Sequence, residues 1–255
     1  MNVQSRRILV MALLVVLGVA PGGGAQTESE AGGGVQTESE AGGGVRTESE
    51  APKPSEVGFV RLINLVPVGE GTTSILIDGA NNWPQGFRLG QRTGAIGLRK
   101  GDHEFTLSKP GCKAARKVIP VVGGATQTLV AYAEPVRDDS GMIIAWELKV
   151  AKLKQHTPDQ GMFLTVVSFC DEPEVPLDIH ETVSDTRLKT VAKRLGVVRV
   201  ALQKGQNIAE ISHAGEEITS LATDGSGNYV LMLYEDEEGK KGGLTFFDPK
   251  FVLAE

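Results

Sequence analysis

Asp102-His103-Glu104 sets an imidazole between two carboxylates, the residue types that acid–base chemistry or a metal ion would use. Asp178-Ile179-His180-Glu181 offers a second such set. On a strand, successive side chains alternate between faces. Asp178 and His180 then share one face and Glu181 takes the other, so the three do not converge on one ion. Asp102-His103-Glu104 follows a Lys-Gly pair and reads as the solvated start of a strand. The four histidines, His103, His156, His180 and His213, fall in separate segments without metal-ligand spacing.

Asp224, Ser226, Asn228 and Glu235 match the ligand spacing of a calcium loop. The glycine that such a loop needs at its sharp turn is Tyr229, and the residues after it read as a strand. An Asp-Gly-Ser-Gly turn feeding that strand accounts for the pattern better. The chain has no G-x-S-x-G elbow, no H-E-x-x-H pair, no P-loop and no C-x-x-C. The expectation is a protein that is not an enzyme, with no catalytic residue, no metal ligand and no cofactor.

Binding chemistry is more legible. The segment "NNWPQGFRLGQR" (81–92) carries Trp83, Phe87, Arg88 and Arg92 in a chain with only 5% aromatic residues. Trp and Arg anchor interfaces, and an aromatic ring can stack on a sugar. These four are the candidate interaction residues. The competing reading is that Trp83 and Phe87 fold inward and plug the end of a domain. Lys113, Arg116 and Lys117 read as the solvated side of a strand, and Glu235 to Glu238 as solubilising charge at a hairpin tip.

The elements that position these residues come next. Residues 1–25 read as a signal peptide: Arg6 and Arg7, the apolar run "ILVMALLVVLGVA", then small residues ending at Ala25. Thirteen apolar residues rise only about 20 Å as a helix, short of a bilayer span. Export by the general route and by a twin-arginine route both fit Ser5-Arg6-Arg7-Ile8-Leu9. The expected location is periplasmic or secreted, with no membrane span in the mature form. Residues 26–56, a near-threefold repeat of "VQTESEAGGG", read as a disordered acidic Gly-rich linker. Without Arg6 and Arg7 the 26 basic residues become 24 against 32 acidic ones, a net charge of −8 that disfavours nucleic-acid partners. The two cysteines, Cys112 and Cys170, read as unpaired and buried.

From Val57 onward, short β-rich runs alternate with Gly, Pro and Asp turns. The reading is all-β: two tandem Ig-like antiparallel β-sandwiches at 57–153 and 160–255, joined by 154–159. "LRKGDHEFTLSKPG" (98–111) returns as "LQKGQNIAEISHAG" (202–215), always 104 residues on. Gly58 with Gly161 and Tyr132 with Tyr234 recur at nearly the same offset, so an internal duplication is expected, each half folding alone.

"GFVRLINLVPVGEGTTSILIDG" (58–79), followed by the Lys-Gly turn and a strand, resembles the accessory family of alginate O-acetylation, the AlgF-like proteins. "LRKGDHEFTLSKPG" is also similar to PEGA-type surface-layer repeats. The second half departs from the first: "GMFLTVVSF" lacks the Arg and Asn of "GFVRLIN". The first resemblance implies a non-catalytic adaptor whose partner is an envelope protein or a polysaccharide, in an exopolysaccharide-modifying, O-acetylating assembly. The second implies a structural surface-layer or extracellular-matrix protein.

Overall fold

A computed structural model describes residues 56–155, 161–225, 227–248 and 251–253. The signal-peptide reading (1–25), nearly all of the linker reading (26–56) and most of the joint (154–159) lie outside the described residues. The described chain forms strands and no helix.

The first half contributes β1 (Val57–Leu65), β2 (Ser74–Ile77), β3 (Ile96–Arg99), β4 (Gly101–Ser108), β5 (Ala115–Val121), β6 (Thr126–Arg137) and β7 (Ile143–Gln155). The second contributes β8 (Met162–Ser168), β9 (Glu174–Glu181), β10 (Thr186–Lys193), β11 (Val197–Ala201), β12 (Asn207–His213), β13 (Glu216–Thr223), β14 (Gly227–Glu235) and β15 (Lys241–Phe247). A last short strand, β16 (Phe251–Leu253), pairs with Leu153–Gln155 of β7. The segment 160–255 is therefore not confined to its own sheets, because its end extends a sheet of the first half.

Four sheets result, ordered β16-β7-β6-β1-β3, β2-β4-β5, β11-β8-β14-β15 and β10-β9-β12-β13. The halves follow the same plan, with β1, β6 and β7 answered by β8, β14 and β15. In one place they differ: the second half forms β10 where the first runs its long loop between β2 and β3. Most ladders are antiparallel, but β1 runs parallel to β6 and β8 parallel to β14, which corrects the expectation of purely antiparallel sheets. Neither parallel pair is adjacent in sequence, so turn signals alone could not reveal it.

Two facing sheets in each half enclose a core. Val60, Leu62, Phe105, Leu107, Leu129 and Ala131 belong to the first, and Leu164, Val166, Ile179, Ile211, Leu231 and Leu233 to the second. The alternate positions of the same central strands face the other way. Ile63, Leu65, Val130 and Tyr132 meet Val167, Phe169, Val230 and Met232 in a third cluster shared by both halves. The continuously buried stretches "LINL" and "VLML" have this cause, since each strand is covered on both faces. The β-sandwich-like halves are stacked back to back on a common core.

The repeated Lys-Gly phrase joins β3 to β4 and β11 to β12. Its closing glycines, Gly111 and Gly215, hold φ of +83° and +84°, where a side chain would be strained.

Candidate functional site

The loop 81–92 hangs from one buried side chain. Asn64 of β1 donates from Nδ2 to the Phe87 carbonyl at 3.1 Å, while its backbone exchanges bonds with Gly90 and Gln91. Phe87 also pairs with Thr73 through both backbone groups. The Phe87 ring is thereby fully buried in the first core, and Trp83 packs over it, half-buried, with centroids 5.2 Å apart. Arg88 is exposed beside a hollow that includes Thr72, Gln85 and Leu89. Arg92 extends over the Phe246 ring of the second half, 5.4 Å from its centroid. The structure thus brings Trp83 and Phe87 together on the inside and uses Arg92 at the seam. Arg88 alone of the four is a wholly outward group.

The seam is also polar at its margins. Arg61 of β1 stacks on Phe246 as well and meets the buried Asp248 carboxylate at 3.3 Å. Around a cleft of about 700 Å³, Arg137 pairs with Asp171 at 2.6 Å, and Arg194 lies within 4.0 Å of both Asp171 and Glu134. Lys241 bridges Glu172 and Glu235. Burial, followed by the nearby Glu134 charge, pushes the Tyr132 hydroxyl up to about 12, so it stays protonated.

Sequence patterns did not single out one exposed apolar cluster. β6 and β7 run twelve and thirteen residues, but β1 covers β6 only as far as Tyr132. Beyond it the two strands continue as a ribbon paired to Arg137 and Ile143. Asp138 closes the tip: its Oδ1 accepts from the Ser140 and Met142 amides and the Ser140 hydroxyl, and Gly141 takes φ +84°. This hydrogen-bonded turn presents Met142 at 65% and Ile144 at 63% exposure, with Ile143 between them. The signal was available as "GMIIAW", an apolar run beginning at the turn itself.

The acid–base candidates have structural partners. His103 binds the Asp78 carboxylate through Nδ1 at 2.7 Å and the Arg99 carbonyl through Nε2 at 2.8 Å. Burial of the ring opposes its charge, but these two bonds and the Asp78 charge outweigh it, and the His103 pKa is raised. The strand start is therefore tied to the turn that ends β2 rather than simply solvated. His180 reaches Asp185 and Glu210 on the outer face. Glu181 points inward and is buried, accepting from the Gln203 amide and Asn207. Asp224 bonds the Tyr229 hydroxyl, Asn228 is buried against Thr165, and Glu235 lies at the far end of β14, so these three calcium-loop residues do not converge, and Ser226 lies outside the described residues. Among the described residues no group of His, Cys, Asp and Glu could hold a metal ion.

Lys113 pairs with Glu147, Arg116 with Glu104, and Lys117 with the Val150 carbonyl. Cys112 and Cys170 are free thiols, the first half-buried and the second buried, with burial lifting the Cys170 thiol to about 11. No protein-family model matches this chain, and no curated protein matches it.

Proposed function

We propose that this chain is a non-catalytic exported adaptor, acting in the periplasm or outside the cell by holding an envelope protein partner. The observation that carries this reading is the ribbon tip. Met142 and Ile144 stand in water on a turn that is already ordered, so docking them costs little further entropy. Burying each would contribute about 1.5–3 kcal/mol, and methionine is enriched at protein interfaces. Asp138 and Asp139 rim the tip with negative charge, which favours a partner whose apolar pocket is edged by Lys or Arg.

Export rests on the N-terminal pattern of Arg6, Arg7 and the following apolar run. Descent of both halves from one duplicated Ig-like sandwich is supported by their matching strand order and the repeated glycine conformations. The adaptor reading is supported by the engagement of His103, His180 and Glu181 in structural bonds. The resemblance of 58–79 to the alginate O-acetylation accessory family makes a polysaccharide-modifying enzyme the first partner to seek.

The test is affinity purification of the mature chain from its native envelope, alongside the double variant Met142→Ser/Ile144→Ser. One stoichiometric partner that is lost from the variant is the expected result. Self-association into sheets or fibres would favour the surface-layer reading, and a partner retained by the variant would remove the tip from the interface.

A further inference from the structure

A pocket of about 310 Å³ opens where the two halves meet, on the side of β5 and β7. Its floor is made of Tyr132, Val167 and Phe169, all buried, with the two rings 5.4 Å apart and tilted by 56°. Pro120, Ala151 and Leu195 form its walls. Lys117 and Lys152 stand among the lining residues, bringing two ammonium groups to an otherwise apolar space.

Leu195 is held in an unusual state. Its φ is +52°, a conformation that strains a side-chain-bearing residue and that glycine would adopt freely. The strain is maintained by the Leu195 amide, which donates to the Ser168 carbonyl at 2.8 Å. What the leucine supplies is an apolar wall beside Tyr132 and Phe169. A strained residue that completes a pocket points from geometry to use.

The lysines set the ligand's polarity. Lys117 Nζ donates to the Val150 carbonyl at 3.0 Å, a neutral partner that leaves its charge intact and two donors to spare. Lys152 Nζ reaches the Pro120 carbonyl at 3.4 Å, on the pocket wall. An apolar pocket with cationic groups among its lining calls for an apolar body with an anionic head. Its volume lies at the lower end of the roughly 300–1,000 Å³ range of small-molecule sites.

We infer that this pocket binds a small amphipathic carboxylate, its acyl chain or aromatic ring on the Tyr132–Phe169 floor and its carboxylate at Lys117. The site is separate from the ribbon tip, and its test does not depend on the adaptor reading.

The full chain is titrated calorimetrically with sodium octanoate, and with octan-1-ol as its uncharged counterpart. Saturable one-site binding of octanoate is expected. Lys117→Gln should weaken octanoate about tenfold, the scale of one hydrogen bond to a charged group, and leave octanol unchanged. Ala151→Phe should fill the cavity and abolish both. Val118→Glu, a change at an exposed lining residue that does not touch the core, should repel octanoate and spare octanol. Absence of saturable octanoate binding overturns the inference, as does binding that none of the three variants alters.

Discussion

Arg61 and Asp248, 187 positions apart in the chain, meet at 3.3 Å where the two halves join, and the Asp248 side chain is only 3% exposed. The same guanidinium lies 5.4 Å from the centroid of Phe246. Removing one partner of a buried ion pair leaves the other charge in a low-dielectric site. Arg61→Leu should therefore lower unfolding stability by about 3 kcal/mol, measured by urea denaturation. Asp248→Asn combined with Arg61→Leu should recover much of that loss. A single variant with unchanged stability would show that the pair contributes nothing.

Isolated halves should behave differently from the whole. A fragment of residues 57–155 would expose Ile63, Leu65, Val130 and Tyr132, which the second half covers. Light scattering should show such a fragment associating, while the full chain does not. Replacing Ile63 and Val130 by Thr should restore a monomeric fragment. A monomeric wild-type fragment would mean that the shared cluster is dispensable for each half.

Stability should vary with pH through His103 and Asp78. The His103 pKa is raised above its ordinary 6.5, so its contribution is complete below 6.5 and is lost as pH rises through the higher folded value. The amide of Glu104, then the His103 side chain, hold the Asp78 carboxyl below its ordinary 3.8. That contribution is present above 3.8 and is lost as pH falls through the lower folded value. Thermal melts of His103→Gln should lose the decline that wild type shows on the alkaline side. An identical slope in the variant would assign it to other groups.

The loop 81–92 separates core from surface within four residues. Phe87→Ala should cost about 3–5 kcal/mol, because it empties a fully buried ring position. Trp83→Ala should cost less, losing a tilted ring pair worth about 0.5–1.5 kcal/mol beyond its buried area. Arg88→Ala should stay within about 0.5 kcal/mol of wild type. Equal effects at Phe87 and Arg88 in chemical denaturation would refute the placement.

The strands of the first half were legible because Gly, Pro and Asp turns bracket apolar runs at "FVRLINLV", "EFTLS" and "TQTLVAYAE". β10 was harder to read. Its solvent-facing Arg187, Lys189, Val191 and Lys193 alternate with residues that are small or only partly buried, which is a weak signal for an edge strand. Among the site residues, Trp83 and Phe87 attracted notice by type, but whether an aromatic in a loop faces in or out depends on distant partners. Asn64 and Thr73 decide it for Phe87. The pocket beneath Leu195 left no local trace, since its lining comes from both halves.

By itself the amino-acid sequence determined the all-β class, the strand rhythm and the repeated plan, because period-two patterning and turn chemistry act over a few residues. It also carried, in "LINL" and "VLML", the fact that the central strands are covered on both faces. What covers the second face was decided only in three dimensions. Apolar burial is non-directional, so a mostly apolar run demands cover without naming its source. Tertiary packing chose the back of the other half, and that choice built the shared core, the Arg61–Asp248 pair and the pocket between them.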